Sequence, residues 1–166
     1  MKIDQIAFYA ANEEIERSIK ANFGLSDAVW IEDRVEAESI IPEHSPTARE
    51  RSVGKLLFNY DLGIELEILR YVSGSHWHHF NPNWNGTSNS PSAGAFVSHV
   101  GIHLADDEDF PAVNWKLVQE TWTNSHTSEY LTKEGSPGFG RKYHYRIYEV
   151  TPGTYIKYIK RRQMGK

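Results

Sequence analysis

The chain has 166 residues, 39% of them apolar and 24% charged, with a formal net charge of −4 and no cysteine. That composition is globular, and the length suits one well-buried domain or two half-length units sharing a core. It excludes a disulfide framework, a thiolate metal site and a cysteine nucleophile, argues against nucleic-acid binding through bulk positive charge, and offers no run near the roughly 18 apolar residues of a membrane span. The N-terminus lacks a basic region followed by an apolar core, so the expected address is the cytoplasm.

Residues 2 to 10 alternate, with Ile3, Gln5, Ala7 and Tyr9 on one face and Asp4, Ile6 and Phe8 on the other, which predicts a strand. Asn12 is placed to cap a helix running to about Asn22, with Ile15, Ile19 and Phe23 as its apolar stripe and Gly24 to stop it. A long strand is predicted over 28–40, a loop over 42–51, and two strands over 53–60 and 63–71 joined at Asp61-Leu62-Gly63. Residues 72–94 are rich in Gly, Ser, Asn and Pro and contain His76, Trp77, His78 and His79. They read as a linker or pocket lid rather than a metal site, because the histidines have no sequence-local carboxylate partner.

A strand is expected over 95–105, and then a stunted helix within Asp106 to Trp115, limited by Pro111. Further strands are expected over 117–124, 141–150 and 153–161, the last two joined at Thr151-Pro152-Gly153. The glycine-rich stretch from Glu134 to Lys142 leads into a strand instead of a helix, so it reads as a hairpin loop and not a phosphate cradle. The run Lys160-Arg161-Arg162 reads as a solvated strand end.

The two halves repeat. Laid over each other, Gln5 falls on His99, Ile6 on Val100, Ala7 on Gly101 and Phe8 on Ile102, an offset of 94 that drifts to 90 where Gly63–Arg70 falls on Gly153–Lys160. Loops absorb such drift more readily than strands. The expected organisation is a first unit over 1–71, a linker or lid over 72–94 and a second unit over 95–163, together one structural domain. In the last strands Leu66 and Ile68 oppose Glu65 and Glu67, and Ile156 and Tyr158 oppose Tyr155 and Lys157. A curved sheet would then gather Gln5, Glu65, Glu67, His99, His103, Tyr155 and Lys157 into one cavity.

This doubled βαβββ plan, with Gln or His in each first strand and Glu in the last strand of the first half, resembles the vicinal oxygen chelate superfamily of glyoxalase I, extradiol dioxygenases and bleomycin-resistance proteins. The resemblance implies an α+β fold of two βαβββ modules forming a curved sheet or barrel. It also implies a metal site of one residue from each first strand and a carboxylate from each last strand. Gln5, Glu67 and His99 match that ligand pattern, while Lys157 stands where the second carboxylate is expected.

Three functional readings follow. One is an enzyme in which Gln5, Glu67 and His99 hold a divalent zinc, nickel, manganese or iron ion that binds vicinal oxygens of a small substrate. Glu65 and His103 are then the candidate bases, with His103 or His144 as a fourth ligand or base. The second has no cofactor: Lys157 pairs with Glu67 and, with Tyr155 and His144, lines a pocket for a small molecule, as in bleomycin-resistance members. The third is a non-enzymatic interaction module. The expected partner is a small molecule rather than nucleic acid or membrane, and a homodimer is open because superfamily members also exchange halves between two copies.

Overall fold

The computed structural model describes residues 2–74, 95–123 and 141–163. In chain order these form β1 (Gln5–Ala10), α1 (Glu13–Asn22), β2 (Ile31–Ile40), β3 (Arg49–Asn59) and β4 (Glu65–Gly74), then β5 (Ala95–Leu104), β6 (Lys116–Thr123), β7 (Arg141–Thr151) and β8 (Thr154–Gln163). The strands close into a barrel in the order β1-β4-β3-β2-β6-β7-β8-β5. β1 runs parallel to β4 and β5 parallel to β8, and every other pairing is antiparallel. Closure gives each of these strands a neighbour on both sides, the β2–β6 seam resting on Ala37–Ile40 paired with Glu120–Thr123 alone.

Local chemistry explains α1. Asn12 Oδ1 accepts from the Ile15 backbone N–H at 2.9 Å, Glu13, Glu14 and Glu16 occupy the first turn, and Lys20 the last. Gly24, at φ 68°, supplies the left-handed residue that ends the helix. The apolar stripe packs Ile15 and Ile19 against Ala10, Leu57 and Ile68, with Phe8 and Trp30 alongside. Each fully buried aliphatic side chain there contributes about 1.5–3 kcal/mol. Phe23, expected in the stripe, is exposed and meets Phe8 edge-on with ring centroids 5.4 Å apart.

The second half departs from the first. The stunted helix expected between Asp106 and Trp115 does not form. Glu108 turns back on Ala105 through two hydrogen bonds, its N–H donating to the Ala105 carbonyl and its carboxylate accepting from the Ala105 N–H, and Pro111 follows, removing the donor a helix would need. The segment does a helix's work without being one. Phe110, Val113 and Trp115 cover Ile102, Leu104, Tyr148 and Tyr158 on the outer face.

Strand limits shift where pairing extends them. β3 starts at Arg49 because Arg49–Ser52 pair with Ala37–Ile40 of β2, and β4 runs on to Gly74 against Ser52, past the boundary expected at residue 71. The histidine-rich stretch His76–His79 and most of the glycine-rich loop, 134–140, lie outside the described residues. Among the described residues no helix is long and apolar enough to cross a membrane.

Candidate functional site

Two adjacent rungs of the barrel build the site. Strand registers place Glu65 of β4 beside Gln5 of β1, Gln5 beside Gly101 of β5, and Gly101 beside Lys157 of β8. The next rung sets Glu67 beside Ala7 and Ala7 beside His99. The small residues make the site. Gly101 has no side chain to fill the space that Gln5 crosses, and a Cβ there would lie 2.3 Å from Gln5 Oε1 and 2.7 Å from Gln5 Cβ.

Gln5 joins the two acids. Its Nε2 donates to Glu65 Oε1 at 2.5 Å and to Glu67 Oε2 at 2.7 Å. Glu65 Oε2 accepts from the Tyr60 hydroxyl at 2.7 Å. Lys157 Nζ donates to Glu67 Oε2 at 3.4 Å and sits 4.6 Å over the ring of Tyr145. His99 Nε2 is 4.0 Å from the same Glu67 oxygen, and its Nδ1 shares a hydrogen bond with Ser98 Oγ at 3.1 Å. His103 Nε2 lies 3.7 Å from Glu65 Oε1, while its Nδ1 is bonded to Asp4 Oδ1 at 2.9 Å.

The cavity beside this network is lined by Gln5, Glu65, Glu67, His103 and Lys157, together with Asp33 and the aromatic rings of Phe58, Tyr143 and Tyr145. Counting its open mouth, it encloses about 370 Å³.

Burial governs the titration of these groups. It pushes the Glu67 carboxyl above its usual value, with the Lys157 ammonium pulling the other way and Glu65 adding to the rise. His99 is held well below the usual imidazole range, first by burial and then by Lys157, so it is neutral at pH 7. A neutral buried histidine loses native-state advantage once the unfolded chain can protonate, which begins as pH falls below about 6.5. Glu67 acts in the opposite sense, since its raised folded value favours the native state at low pH and that contribution is lost as pH rises through it. Denaturant titrations of the parent and His99→Gln between pH 7.5 and 5 should therefore diverge, the variant losing less stability, by up to about 1.4 kcal/mol per pH unit. The remaining histidines are common to both proteins and cancel; parallel curves would show that burial does not lower the His99 imidazole, and a variant losing more stability than the parent would show that His99 is charged in the native state.

The expected site residues separate into three groups. Gln5, Glu65, Glu67, His103 and Lys157 meet at the cavity, and His99 stands directly behind it, 2% exposed. Tyr155 faces inward but packs with Tyr9, Tyr145 and Ile147 in the apolar part of the interior, its hydroxyl 3.4 Å from Glu149 Oε1. Burial and Glu149 push that phenol up to about 12. His144 does not belong to the pocket. Its neighbours Tyr143 and Tyr145 line the cavity, so the pleat turns His144 outward, where it bonds Glu120 Oε1 at 2.7 Å and stacks on Trp122.

Neither models of known protein families nor the sequences of characterised proteins match this chain. The site must be argued from its own residues. Among the described residues no three His, Asp or Glu side chains converge as metal ligands do. Yet Gln5 Oε1, Glu67 Oε1 and His99 Nε2 are buried atoms without a hydrogen-bond partner. An amide oxygen, a carboxylate oxygen and an imidazole nitrogen are donors a divalent ion accepts, whereas Lys157, beside them, brings three N–H donors and no lone pair.

Asp33, Tyr60 and Asp4 were not singled out from sequence. Asp33 carried a signal, an acidic residue in phase with Val35 on the buried face of β2. Tyr60 and Asp4 lie one residue outside β3 and β1, whereas the predicted strands included both, and alternation put Asp4 on the face opposite Gln5.

Proposed function

We propose that the chain is a barrel of the vicinal oxygen chelate type whose interior binds a small organic molecule in a metal-free cavity, as a binding or sequestering protein. The registers support the two-module part of this reading. The β1–β5 pairing is centred on Ile6 and Val100, so Gln5 and His99 occupy exchanged positions about that point, and the β1–β4 and β5–β8 registers make Lys157 the counterpart of Glu67. The observation that carries the function is the Lys157–Glu67 contact at 3.4 Å, which sets an ammonium where a metal-dependent site would need a second carboxylate. Beside a divalent cation that ammonium adds repulsion in a poorly solvated cavity.

Elemental analysis of protein purified without chelator tests this directly. The expected result is no stoichiometric zinc, nickel, manganese or iron; one tightly held ion per chain would overturn it.

The three unpartnered donor atoms on Gln5, Glu67 and His99 favour a second reading, a divalent-metal enzyme acting on a small oxygenated metabolite. In that case Gln5, Glu67 and His99 would hold the ion, the chemistry it would supply being polarisation of a substrate oxygen, and Glu65 and His103 would be the groups placed to move a proton. Zinc, nickel, manganese or iron(II) should then raise the thermal midpoint of the parent protein, by an amount equivalent to about 2.7 kcal/mol at a free concentration 100 times the dissociation constant. Glu67→Ala and His99→Ala should abolish the rise. A parent midpoint indifferent to all four metals would sink this reading.

A further inference from the structure

We infer that the ligand presents an uncharged carboxamide to the cavity, its carbonyl oxygen accepting from Lys157 Nζ and its N–H donating to Glu67 Oε1. This rests on the metal-free binding reading and gives it a ligand class. Lys157 is the first reason. Its ammonium carries three N–H donors, and among the described residues its one hydrogen-bond acceptor is Glu67 Oε2 at 3.4 Å, long beside the roughly 2.7–2.9 Å of a good charge-assisted bond. The Tyr145 ring, 4.6 Å away, attracts the charge without accepting as an oxygen does. With its side chain only 7% exposed, Lys157 has little access to water for the remaining donors, and a buried ammonium left short of acceptors is costly. An oxygen brought by the ligand supplies one.

Glu67 gives a second and independent reason. Gln5 Nε2 and Lys157 Nζ both donate to its Oε2, while its Oε1 is buried without a hydrogen-bond partner. That oxygen calls for a donor. Lys157 and Glu67 both line the cavity, so a ligand meets the two charges together, and neither sign of charge suits it: a ligand ammonium is repelled by Lys157 and a ligand carboxylate by Glu67. An uncharged group avoids both. A ketone answers Lys157 alone, and a hydroxyl must serve both side chains with one oxygen, whereas a carboxamide offers an acceptor and a donor on separate atoms. The remaining walls, which include the ring of Phe58 and the side chains of Val35, Leu56 and Ile159, suit a short apolar chain behind that head group, in a cavity of about 370 Å³.

Calorimetric titration of the full chain with a matched set, butyramide, methyl propyl ketone, butyrate, butylammonium and butanol, tests the inference. Butyramide should bind saturably, one per chain, and about tenfold or more tightly than each of the others, the loss expected when a hydrogen bond to a charged group goes unmade. Lys157→Met removes the donor to the carbonyl and the charge that repels a cation, so it should weaken butyramide about tenfold or more and strengthen butylammonium. The comparison of the five probes on the parent decides the matter if that variant does not fold. Any other probe binding the parent as tightly as butyramide would overturn the inference and leave metal-free binding standing, as would a folded Lys157→Met that keeps the parent's affinities. Failure of all five probes to bind would overturn the inference as well. Stoichiometric metal in the purified protein would instead remove the reading beneath it.

Discussion

Lys157→Glu is expected to convert the cavity into a divalent-metal site and, without metal, to destabilise the fold by on the order of 3–5 kcal/mol. Glu67 is 1% exposed and Lys157 6% exposed. Removing the ammonium strands a buried carboxylate, and the new acid adds like-charge repulsion beside it. A bound metal reverses both effects, since it supplies the missing positive charge and uses Gln5, Glu67, His99 and the new carboxylate as four donors of suitable type. Thermal titration of the parent, Lys157→Ala and Lys157→Glu against zinc or nickel reads the outcome. The metal-induced shift should be largest in Lys157→Glu. Equal shifts in all three proteins would mean that Lys157 does not stand in for a metal.

Gly101→Ala should cost on the order of 1–3 kcal/mol and disconnect Gln5 from the two acids, because the added methyl lies inside the contact distance of the Gln5 side chain from its Cβ to its Oε1. Gln5 cannot simply swing away. Its amide is tied at 2.5 Å and 2.7 Å to Glu65 and Glu67, so moving it breaks both hydrogen bonds. A double-mutant cycle isolates the cause: in a Gln5→Gly background, which removes the Cβ together with the amide, the same substitution should be nearly neutral, a coupling of about 0.5–3 kcal/mol. An equal cost in both backgrounds would place the strain in the β1–β5 backbone instead.

How much could be read in advance depended on how local the signal was. The cap at Asn12, the stripe of α1 and the stop at Gly24 are decided within one or two turns of chain, and α1 formed over the expected span. The phase of β1, β4, β5 and β8 was legible because a strand with one polar and one apolar face has only one way to sit against a core. Residues 106–115 misled because a covering segment was expected to be helical, when Phe110, Val113 and Trp115 can bury their side chains from an irregular backbone as well. His144 misled through the same alternation that placed Lys157 correctly. As a residue of β7 with aromatic neighbours on both sides, its facing depends on which of them the barrel takes inside.

The sequence by itself determined the strand faces and the chemical types of Gln5, Glu67, His99 and Lys157. Those are properties of neighbouring residues. Only the tertiary structure decided that the strands close into a barrel through the β1–β5 and β2–β6 seams, that Lys157 contacts Glu67 across 90 residues of chain, and that Asp33 and Tyr60 join the same site. These pairings are set by the register between strands distant in sequence, and register follows from the packing of whole faces against one another, which no single stretch of sequence specifies.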